Sequence, residues 1–256
     1  MLYDKLPIVL LSVLSSERKD ATNSQIAYYI LNHLDDVKNM KMTDLAAACH
    51  VANSSISRFC KEIGLTDYAE LKEILMNNHL YFEKHSSSKN ENERLNDYCN
   101  KVNQSINMVQ NSIDMKRIAS LCIDLQCYQK VAVFGLMKAM SAAISLQSDL
   151  LMQNKQIYTT FSYDQQLDYL KHAKKDDLII IFSYTGSYFD YVHLRELKKH
   201  LILPKIWFIT GGKRSIPEFI DEVITFESLQ DQTSHPYQLQ FISGLICQEY
   251  AYRHKL

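Results

Sequence analysis

Short polar side chains that suit DNA recognition are concentrated in one stretch near the N-terminus, residues 42–65. The stretch reads MTDLAAACHVANSSISRFCKEIGL and predicts two short helices joined by a tight turn, because apolar residues recur in it at helical spacing. The polar face of the second helix combines hydroxyls, an amide and two cations, which can reach base edges and phosphates in a major groove. Its members are Asn53, Ser54, Ser55, Ser57, Arg58 and Lys61. The alternative is an ordinary two-helix hairpin with a polar outer face.

Local signals in the same stretch predict where the two helices begin and end. Thr43 is the expected N-cap of the first helix, since its hydroxyl can accept from an N–H group of the first turn. His50 falls in the turn, where a positive φ is often required, and histidine is among the non-glycine residues that tolerate one. Gly64 is the expected C′ residue of the second helix. The inward face of that helix would consist of Ile56, Phe59, Cys60 and Ile63.

A second group of polar residues suits an anion. It follows the β-rich run LIIIF (178–182) and precedes a helical pattern. The group consists of Ser183, Thr185, Gly186 and Ser187. Hydroxyls and free backbone N–H groups at the start of a helix favour an anion, especially a phosphate. The alternative is an ordinary strand-to-helix turn whose serine or threonine only caps the helix. An earlier junction of the same kind, after VAVF (131–134), contains Gly135 and Lys138.

The elements around the DNA-reading candidate are predicted to be helical. Capping-box patterns open two of them, with Thr22 and Gln25 at the first and Asp67 and Glu70 at the second. The five expected helices are residues 2–14, 22–34, the two within 42–65, and 67–82. They predict a small all-α helix-turn-helix bundle over residues 1–84. Residues 85–94, HSSSKNENER, contain no apolar residue and predict a linker.

The remainder, residues 95–256, predicts an α/β domain. It opens with amphipathic helices from Leu95 and over 115–127 and closes with a helix from about Tyr237 to His254. Between them, β-rich runs alternate with helical patterns, which indicates a mainly parallel, five-stranded, doubly wound sheet. The runs are 131–134, 156–160, 178–182, 205–209 and 222–226, with helical patterns at 139–153, 164–173 and 188–200 and a short segment at 215–220. Such sheets bind ligands at the carboxyl ends of their strands, near a topological switch point, where the polar loops fall.

Composition narrows the class of protein further. The 256 residues carry a net charge of −1 and are 46% hydrophobic, which is typical of a globular chain long enough for two domains. The apolar run 7–14 is too short to span a bilayer, and no signal-peptide pattern precedes it. Six cysteines without a C-x-x-C pair predict reduced core thiols in a cytoplasmic protein rather than disulfides or a metal site.

The charge of the first domain bears on how it would bind DNA. Residues 1–85 hold nine Lys and Arg against eleven Asp and Glu, a net charge of −2, whereas strong nucleic-acid binders are usually basic. Affinity would then come most simply from two copies on two half-sites. Oligomerisation is therefore part of the functional prediction.

The whole chain resembles RpiR-type transcriptional regulators, which join an N-terminal helix-turn-helix domain to a C-terminal sugar isomerase (SIS) domain. The similar stretches are TNSQIAYYILNHLDDV, MTDLAAACHVANSSISRFCKEIGLTDYAELK, VAVFGL and IIIFSYTGS. The resemblance implies sequence-specific binding of a double-stranded DNA operator by the first domain. It implies recognition of a phosphorylated sugar by the second, with Ser183, Thr185 and Gly186 at the phosphate-cradling positions.

The chain departs from the family pattern at several of these positions. Ala52 stands where the family usually has serine, so Asn53 is expected to take over as N-cap of the reading helix. Tyr188 replaces a common threonine. In the first loop the family commonly shows G-x-G-x-S; Gly135 is kept, but Met137 and Ala139 replace the second glycine and the serine. A methionine obstructs the close backbone approach that glycine permits, and Lys138 would supply charge in place of the lost hydroxyl.

The sequence therefore predicts a cytoplasmic, DNA-binding transcriptional regulator of carbohydrate metabolism that senses a phosphorylated sugar. It is expected to be a homodimer or homotetramer, with no cofactor, no metal, no catalytic residues and no membrane partner. One alternative is a phosphosugar isomerase, whose general base would be His193, His235 or Glu249. The other is a regulator whose SIS domain has lost its effector and serves only in oligomerisation.

Overall fold

The computed structural model describes residues 5–77, 84, 86–191, 201 and 203–254. Its N-terminal part is helical, as predicted, and the helices pack around apolar side chains that recur at helical spacing. They are α1 (Lys5–Ser16), α2 (Thr22–Asn32), α3 (Leu34–Val37), α4 (Met42–Ala48), α5 (Asn53–Glu62) and α6 (Tyr68–Met76). The described residues thus hold six helices here rather than five, because α2 ends at Asn32 and a single-turn helix follows it. Residues 78–82 of the last predicted helix lie outside the described residues.

The helix starts differ in part from the predictions. Thr22 is the first residue of α2, not its N-cap, and no side chain caps that helix. Thr43 lies inside α4, and the backbone N–H of Lys41 donates instead to the carboxylate of Asp44 at 3.1 Å. The N-terminal cap of α6 is confirmed, since Asp67 accepts from two first-turn N–H groups.

The turn between α4 and α5 has the predicted backbone. His50 adopts a φ of 54°, and Gly64, the residue after the C-cap of α5, adopts a φ of 85°. The N–H of Leu65 donates to the carbonyl of Cys60 at 2.8 Å, the bond that closes a helix when its C′ residue is left-handed. The predicted cap at Asn53 is wrong, because Asn53 is already helical and Ala52 stands at the N-cap without a side-chain acceptor.

The predicted linker is shorter than its composition indicated. The helix α7 (Glu91–Ser112) begins within residues 85–94, because Asn90 caps it by accepting from the N–H groups of Asn92 and Glu93. It is followed by α8 (Met115–Cys127). The domain limits of 1–84 and 95–256 stay a prediction.

The C-terminal part is the predicted α/β domain with a parallel sheet. Its strands are β1 (Lys130–Gly135), β2 (Asp177–Phe182), β3 (Lys205–Thr210) and β4 (Glu222–Thr225), and they pair in parallel in that order. Its helices are α9 (Lys138–Leu151), α10 (Tyr163–His172) and α11 (Ser234–Arg253). Of the predicted helix 188–200, the structure describes residues 188–191 as one 3-10 turn, and 192–200 lie outside the described residues. The segment 215–220 contains no helix.

The prediction of five strands is wrong by one, because residues 156–160 make a single parallel bridge rather than a strand. Tyr158 lies beside β1, donating to Val131 and accepting from Val133, both at 2.8 Å. The hydroxyl of Thr159 then donates to the carbonyl of Val133 at 2.6 Å. That carbonyl would be the next acceptor of a parallel ladder, so the pairing ends there.

Helices cover both faces of the sheet. Side chains of β1 alternate between the two sides, with Val131 and Val133 in the core made with α8, α9 and α11. Ala132 and Phe134 belong to the other core, which includes α10 and runs without interruption into the N-terminal helices. None of the helices in the described part of the chain has the length and apolar character needed to cross a membrane.

Candidate DNA-reading helix and effector pocket

The outer face of α5 carries the residues predicted to read DNA. Asn53, Ser54, Arg58 and Lys61 are exposed, and Ser55 and Ser57 are half-buried at its edges. The opposite face, Ile56, Phe59 and Cys60, is completely buried in the helical core. The helix is therefore held by its apolar side while its polar side projects outward.

At the end of α5, the carboxylate of Glu62 is bonded to a neighbouring helix rather than to Arg58 or Lys61 of its own helix. Glu62 accepts from the side-chain amide of Asn23 on α2 at 2.8 Å. Lys61 lies in the last turn, where a positive charge also favours the helix dipole. A carboxylate on the exposed face would repel phosphates, and this contact draws Glu62 toward α2.

A cavity of about 210 Å³ lies at the switch point of the sheet. Counting the bridge at Tyr158, the spatial order of the five β segments is 2-1-3-4-5, so the direction in which successive strands are added to the sheet reverses between β1 and β2. The loops after these two strands form the cavity. Its lining consists of Ile8, Leu11, Leu136, Met137, Lys138, Ala139, Phe182, Ser183, Tyr184, Thr185, Ser187, Tyr188 and His235.

The first loop joins β1 closely to α9. A Cβ on Gly135 would lie 2.8 Å from the carbonyl carbon of Ala139, so only glycine allows this approach. Met137 adopts φ 52° and ψ −114°, a conformation that glycine reaches easily and methionine does not. The backbone at Met137 therefore has a conformation that suits a glycine, the residue that the G-x-G-x-S pattern would place there.

Lys138 brings the nearest positive charge to the cavity. Its ammonium donates to the carbonyl of Gln232 at 2.7 Å. Burial lowers its pKa, and the nearby carboxylate of Asp231 partly offsets that effect. Asp231 also accepts from the N–H of Ser234 at 2.7 Å, which fixes the start of α11 beside the lysine.

The second loop brings three hydroxyls together. Ser183 is buried, and its oxygen accepts from the N–H of Tyr188 at 3.1 Å. The hydroxyls of Thr185 and Ser187 lie 2.6 Å apart, and Gly186 between them adopts a φ of 78°. The loop therefore contains a glycine-dependent turn and two adjacent hydroxyls, and its role in binding an anion stays a prediction.

Tyr188 does not replace the family's threonine as a hydroxyl donor to the cavity. Its ring is buried in the core, and its hydroxyl donates to the side-chain carbonyl of Gln166 at 2.8 Å. Burial raises its pKa well above the ordinary value. The buried side chain of Tyr188 anchors the loop to the core, and its backbone N–H donates to the hydroxyl of Ser183.

His235, one of the three general-base candidates, lines the cavity, where its ring stacks on Tyr184 with centroids 4.4 Å apart. Burial, assisted by the charge of Lys138, lowers the pKa of His235 to about 3 and keeps the ring neutral. Gly212 supports the second loop, since a Cβ there would lie 2.4 Å from the carbonyl oxygen of Thr185. Sequence reasoning missed Gly212, because no periodicity or motif marks it as part of this site.

Sequence reasoning also missed that α1 forms part of the cavity lining, through Ile8 and Leu11. The only sequence signal for it is that α1, KLPIVLLSVLSS, is apolar on more than one face. Of the other predicted candidates, Glu249 pairs with Arg253 on α11 at 2.6 Å and does not line the cavity. His193 lies outside the described residues.

The arrangement suits a ligand with an anionic end and a less polar body. Lys138, Ser183, Thr185 and Ser187 contribute polar groups to the lining, and most of the remaining lining is apolar. Within the described ranges, no group of three or more His, Cys, Asp or Glu side chains is placed to hold a metal ion.

Similarity to known proteins supports the division into a DNA-binding and an α/β part. Residues 8–81 match the helix-turn-helix domain of the rpiR family. The chain is 25% identical over 191 residues to an uncharacterized HTH-type transcriptional regulator, from the aarA 3′ region of Providencia stuartii. That match covers 70% of this chain and 66% of the relative, just under two thirds of the relative's length. Over 51 residues it is 41% identical to the uncharacterized HTH-type regulator TTE0211 of Caldanaerobacter subterraneus subsp. tengcongensis, covering 20% of this chain and 18% of that one.

Two solved structures share the fold. Vibrio vulnificus NanR, complexed with ManNAc-6P, matches 97% of this chain and 92% of its own with a TM-score of 0.51 and 16% identity. The protein c3406 of E. coli CFT073 matches 64% of this chain and 93% of its own with a TM-score of 0.54 and 15% identity. The predicted fold, a helix-turn-helix bundle followed by a SIS-like α/β domain, is confirmed, apart from the number of strands.

Proposed function

We propose that this chain, whose residues 8–81 match the helix-turn-helix domain of the rpiR family, is a DNA-binding transcriptional regulator of carbohydrate metabolism. The observation that carries the proposal is the exposed polar face of α5 in such a domain. Short polar groups around an arginine suit contacts with the phosphates and base edges of double-stranded DNA. The proposed contacts are Asn53, Ser54, Ser55, Ser57, Arg58 and Lys61.

The protein acts on its operator as a homodimer or homotetramer in this proposal. A domain with a net charge of −2 attracts DNA weakly by itself, so two copies bound to two half-sites supply the missing affinity. The α/β domain brings the copies together and sets their spacing. All six cysteines are free thiols, which fits a cytoplasmic protein.

The effector proposed for the pocket is a phosphorylated sugar. NanR, a protein of the same fold, holds ManNAc-6P, and the pocket of this chain offers an ammonium and hydroxyls at the carboxyl ends of two parallel strands. Lys138 and the hydroxyls of Ser183, Thr185 and Ser187 would bind the phosphate. Gly135 and Gly186 shape the two loops.

An isomerase on the same fold is less well supported. Its general base needs a pKa near the working pH, and burial holds the pKa of His235 at about 3. Glu249 lies outside the cavity lining and is engaged with Arg253. A purely structural role for the α/β domain is less well supported too, because a cavity lined in part by polar residues lies at the strand ends.

The DNA-binding part of the proposal is tested with Arg58→Ala. We expect operator affinity, measured by fluorescence anisotropy with the promoter region of this gene, to fall about tenfold or more, as for loss of one base-contacting arginine. Arg18→Ala is the matched control, because Arg18 is also exposed but precedes α2 and pairs with Asp20. Equal affinities for the two variants, with unchanged melting, would reject α5 as the reading helix.

The sensing part is tested by thermal unfolding with ManNAc-6P and a panel of other hexose and amino-sugar phosphates. One compound is expected to raise the Tm, because it binds the folded state only. Thr185→Ala should remove that rise and leave DNA binding intact. Ser183→Ala also removes the acceptor of the Tyr188 N–H, so its ligand effect has to be corrected for lost stability. Turnover of the compound would favour the isomerase instead.

A further inference from the structure

One wall of the effector pocket comes from the DNA-binding domain. Ile8 and Leu11 lie three residues apart on one face of α1, and both line the cavity formed by the loops after β1 and β2. Met137, Lys138 and Thr185 line the same cavity. The cavity is therefore shared between an element of the helical bundle and the strand ends of the α/β domain.

The composition of α1 requires a second partner for this helix. Leu6, Val9 and Leu10 are buried in the core of the helical bundle. In a free-standing bundle the remaining face would contact water and would be polar. Instead it carries Ile8, which is half-buried, and Leu11, which is 39% exposed at the cavity.

A polar contact fixes α1 in this position. The buried hydroxyl of Ser12 donates to the carbonyl of Phe161 at 3.0 Å and accepts from the N–H of Tyr163 at 3.2 Å. Tyr163 is the first residue of α10 and Phe161 lies two residues before it, both in the α/β domain. Ser12 is next to Leu11, so the contact sets the distance between the helix and the pocket.

We infer that Ile8 and Leu11 are ligand-contacting residues, and that the DNA-binding domain forms part of its own chain's effector site. The inference rests on the proposed function and names how that site recognises a phosphosugar. The phosphate binds beside Lys138 and the loop hydroxyls, and a less polar face of the sugar packs against Ile8 and Leu11. Ligand in the pocket then strengthens the docking of α1 on the α/β domain, and docking of α1 strengthens ligand binding by the same factor.

The first test compares Leu11→Ala with Leu14→Ala. Leu14 is one turn further along α1 and half-buried, but it does not line the cavity. With the panel compound that most raises the Tm, we expect calorimetry to give a Kd about 5–10-fold weaker for Leu11→Ala, the loss of partial burial of one leucine. Leu14→Ala should bind as the unmodified chain does. Equal Kd values for all three would overturn the inference and leave the proposed function standing.

Hydrogen exchange gives a readout that lost stability does not imitate. Saturating ligand is expected to slow amide exchange in residues 8–12 of α1 as well as in the loop 183–187. Slowing confined to the loop would show that α1 does not sense the ligand, and the inference would fail.

A third measurement needs no ligand and decides the case in which no compound of the panel binds. Leu11→Cys and Met137→Cys are combined in a chain whose exposed Cys99 and Cys127 are serine. A short bifunctional maleimide should link the pair within one chain, and a Leu14→Cys, Met137→Cys chain should not be linked. Failure of the first pair to link, or equal linking of both, would overturn the shared wall. Linking without any phosphosugar binding would leave the wall in place and reject the proposed effector class.

Discussion

Met137 holds a strained backbone conformation in this site. Its φ of 52° and ψ of −114° lie where side chains clash with the backbone, so the surrounding loop must hold it there. The unfavourable feature at His235 is different: its imidazole is buried against Tyr184 and cannot easily take up a proton. Both residues line the pocket. Unfavourable local conformations are common in binding sites.

Met137→Gly is expected to raise stability by about 1 kcal/mol, because the relief of backbone strain exceeds the entropy that glycine adds to the unfolded chain. Met152→Gly is the control, since Met152 is exposed and has an ordinary φ of −61°. It should lower stability by about 0.5–1 kcal/mol. Urea unfolding measures both, and a loss of stability for Met137→Gly would mean that the conformation is not strained.

His235 should make the protein sensitive to acid. The folded state holds the pKa at about 3, against 6.5 as the ordinary value. The unfolded chain binds a proton as the pH falls through about 6.5, and the folded chain does not. The free energy of unfolding therefore decreases between these values, by at most about 1.4 kcal/mol per pH unit.

The corresponding measurement is the Tm between pH 7 and 4 for the unmodified chain and for His235→Phe, which keeps a ring against Tyr184. The slope should be shallower for His235→Phe. His172→Phe, at an exposed histidine, is the control and should keep the original slope. Three identical slopes would show that His235 takes up protons freely in the folded protein.

At the scale of elements, the pocket depends on how closely strand ends and helix starts approach each other. The contact of β1 with α9 passes through Gly135, and the loop after β3 supports the loop after β2 through Gly212. These glycines lie at contacts between backbones, so any side chain there would separate two elements. By contrast, Gly244 lies in the middle of α11 with open space around it.

Gly135→Ala should therefore destabilise the protein by about 1–3 kcal/mol, because its Cβ would lie under 3 Å from backbone atoms of Ala139 that cannot move independently of α9. The same change at Gly244 should stabilise by about 0.5–1 kcal/mol, since a mid-helix glycine costs entropy. Chemical denaturation distinguishes the two. Equal small effects would contradict the close strand–helix contact.

At the scale of the whole molecule, the helical bundle and one face of the sheet share a continuous core. The apolar side chains of α1 to α6 connect through α1 to α10 and to the inner residues of β1, β2 and β3. The helix α5 is therefore joined to the pocket through a small number of packed elements. Under the proposed function, a change in the docking of α1 alters how α5 is presented to DNA.

Ser12→Ala tests this connection. Loss of its two contacts with the start of α10 should cost about 1 kcal/mol and lower the Tm by about 2–4 °C. Ser15→Ala is the control, because the Ser15 hydroxyl is exposed and bonds only within α1, to Leu11. Calorimetric melting at equal Tm for both variants would show that the two parts are not coupled through α1.

The sequence by itself determined most of the element types, the helix-turn-helix unit and the α/β domain. These follow from local periodicity and from backbone demands such as those at His50 and Gly64, which a residue carries wherever it is placed. It also located the polar loop 183–187, because parallel strands bring their carboxyl ends to one edge. It failed at Thr22, Thr43 and Asn53, where neighbouring residues shifted each helix start.

Only the tertiary structure decided which distant residues lie in or beside the pocket. Ile8, Leu11, Gly212 and His235 are far from the loops in sequence, and their types fit an ordinary core or surface equally well. The missing fifth strand depends on one hydroxyl, that of Thr159, which takes a carbonyl from the ladder. Such contacts join residues separated by tens to hundreds of positions, and no local pattern records which partner a side chain will find.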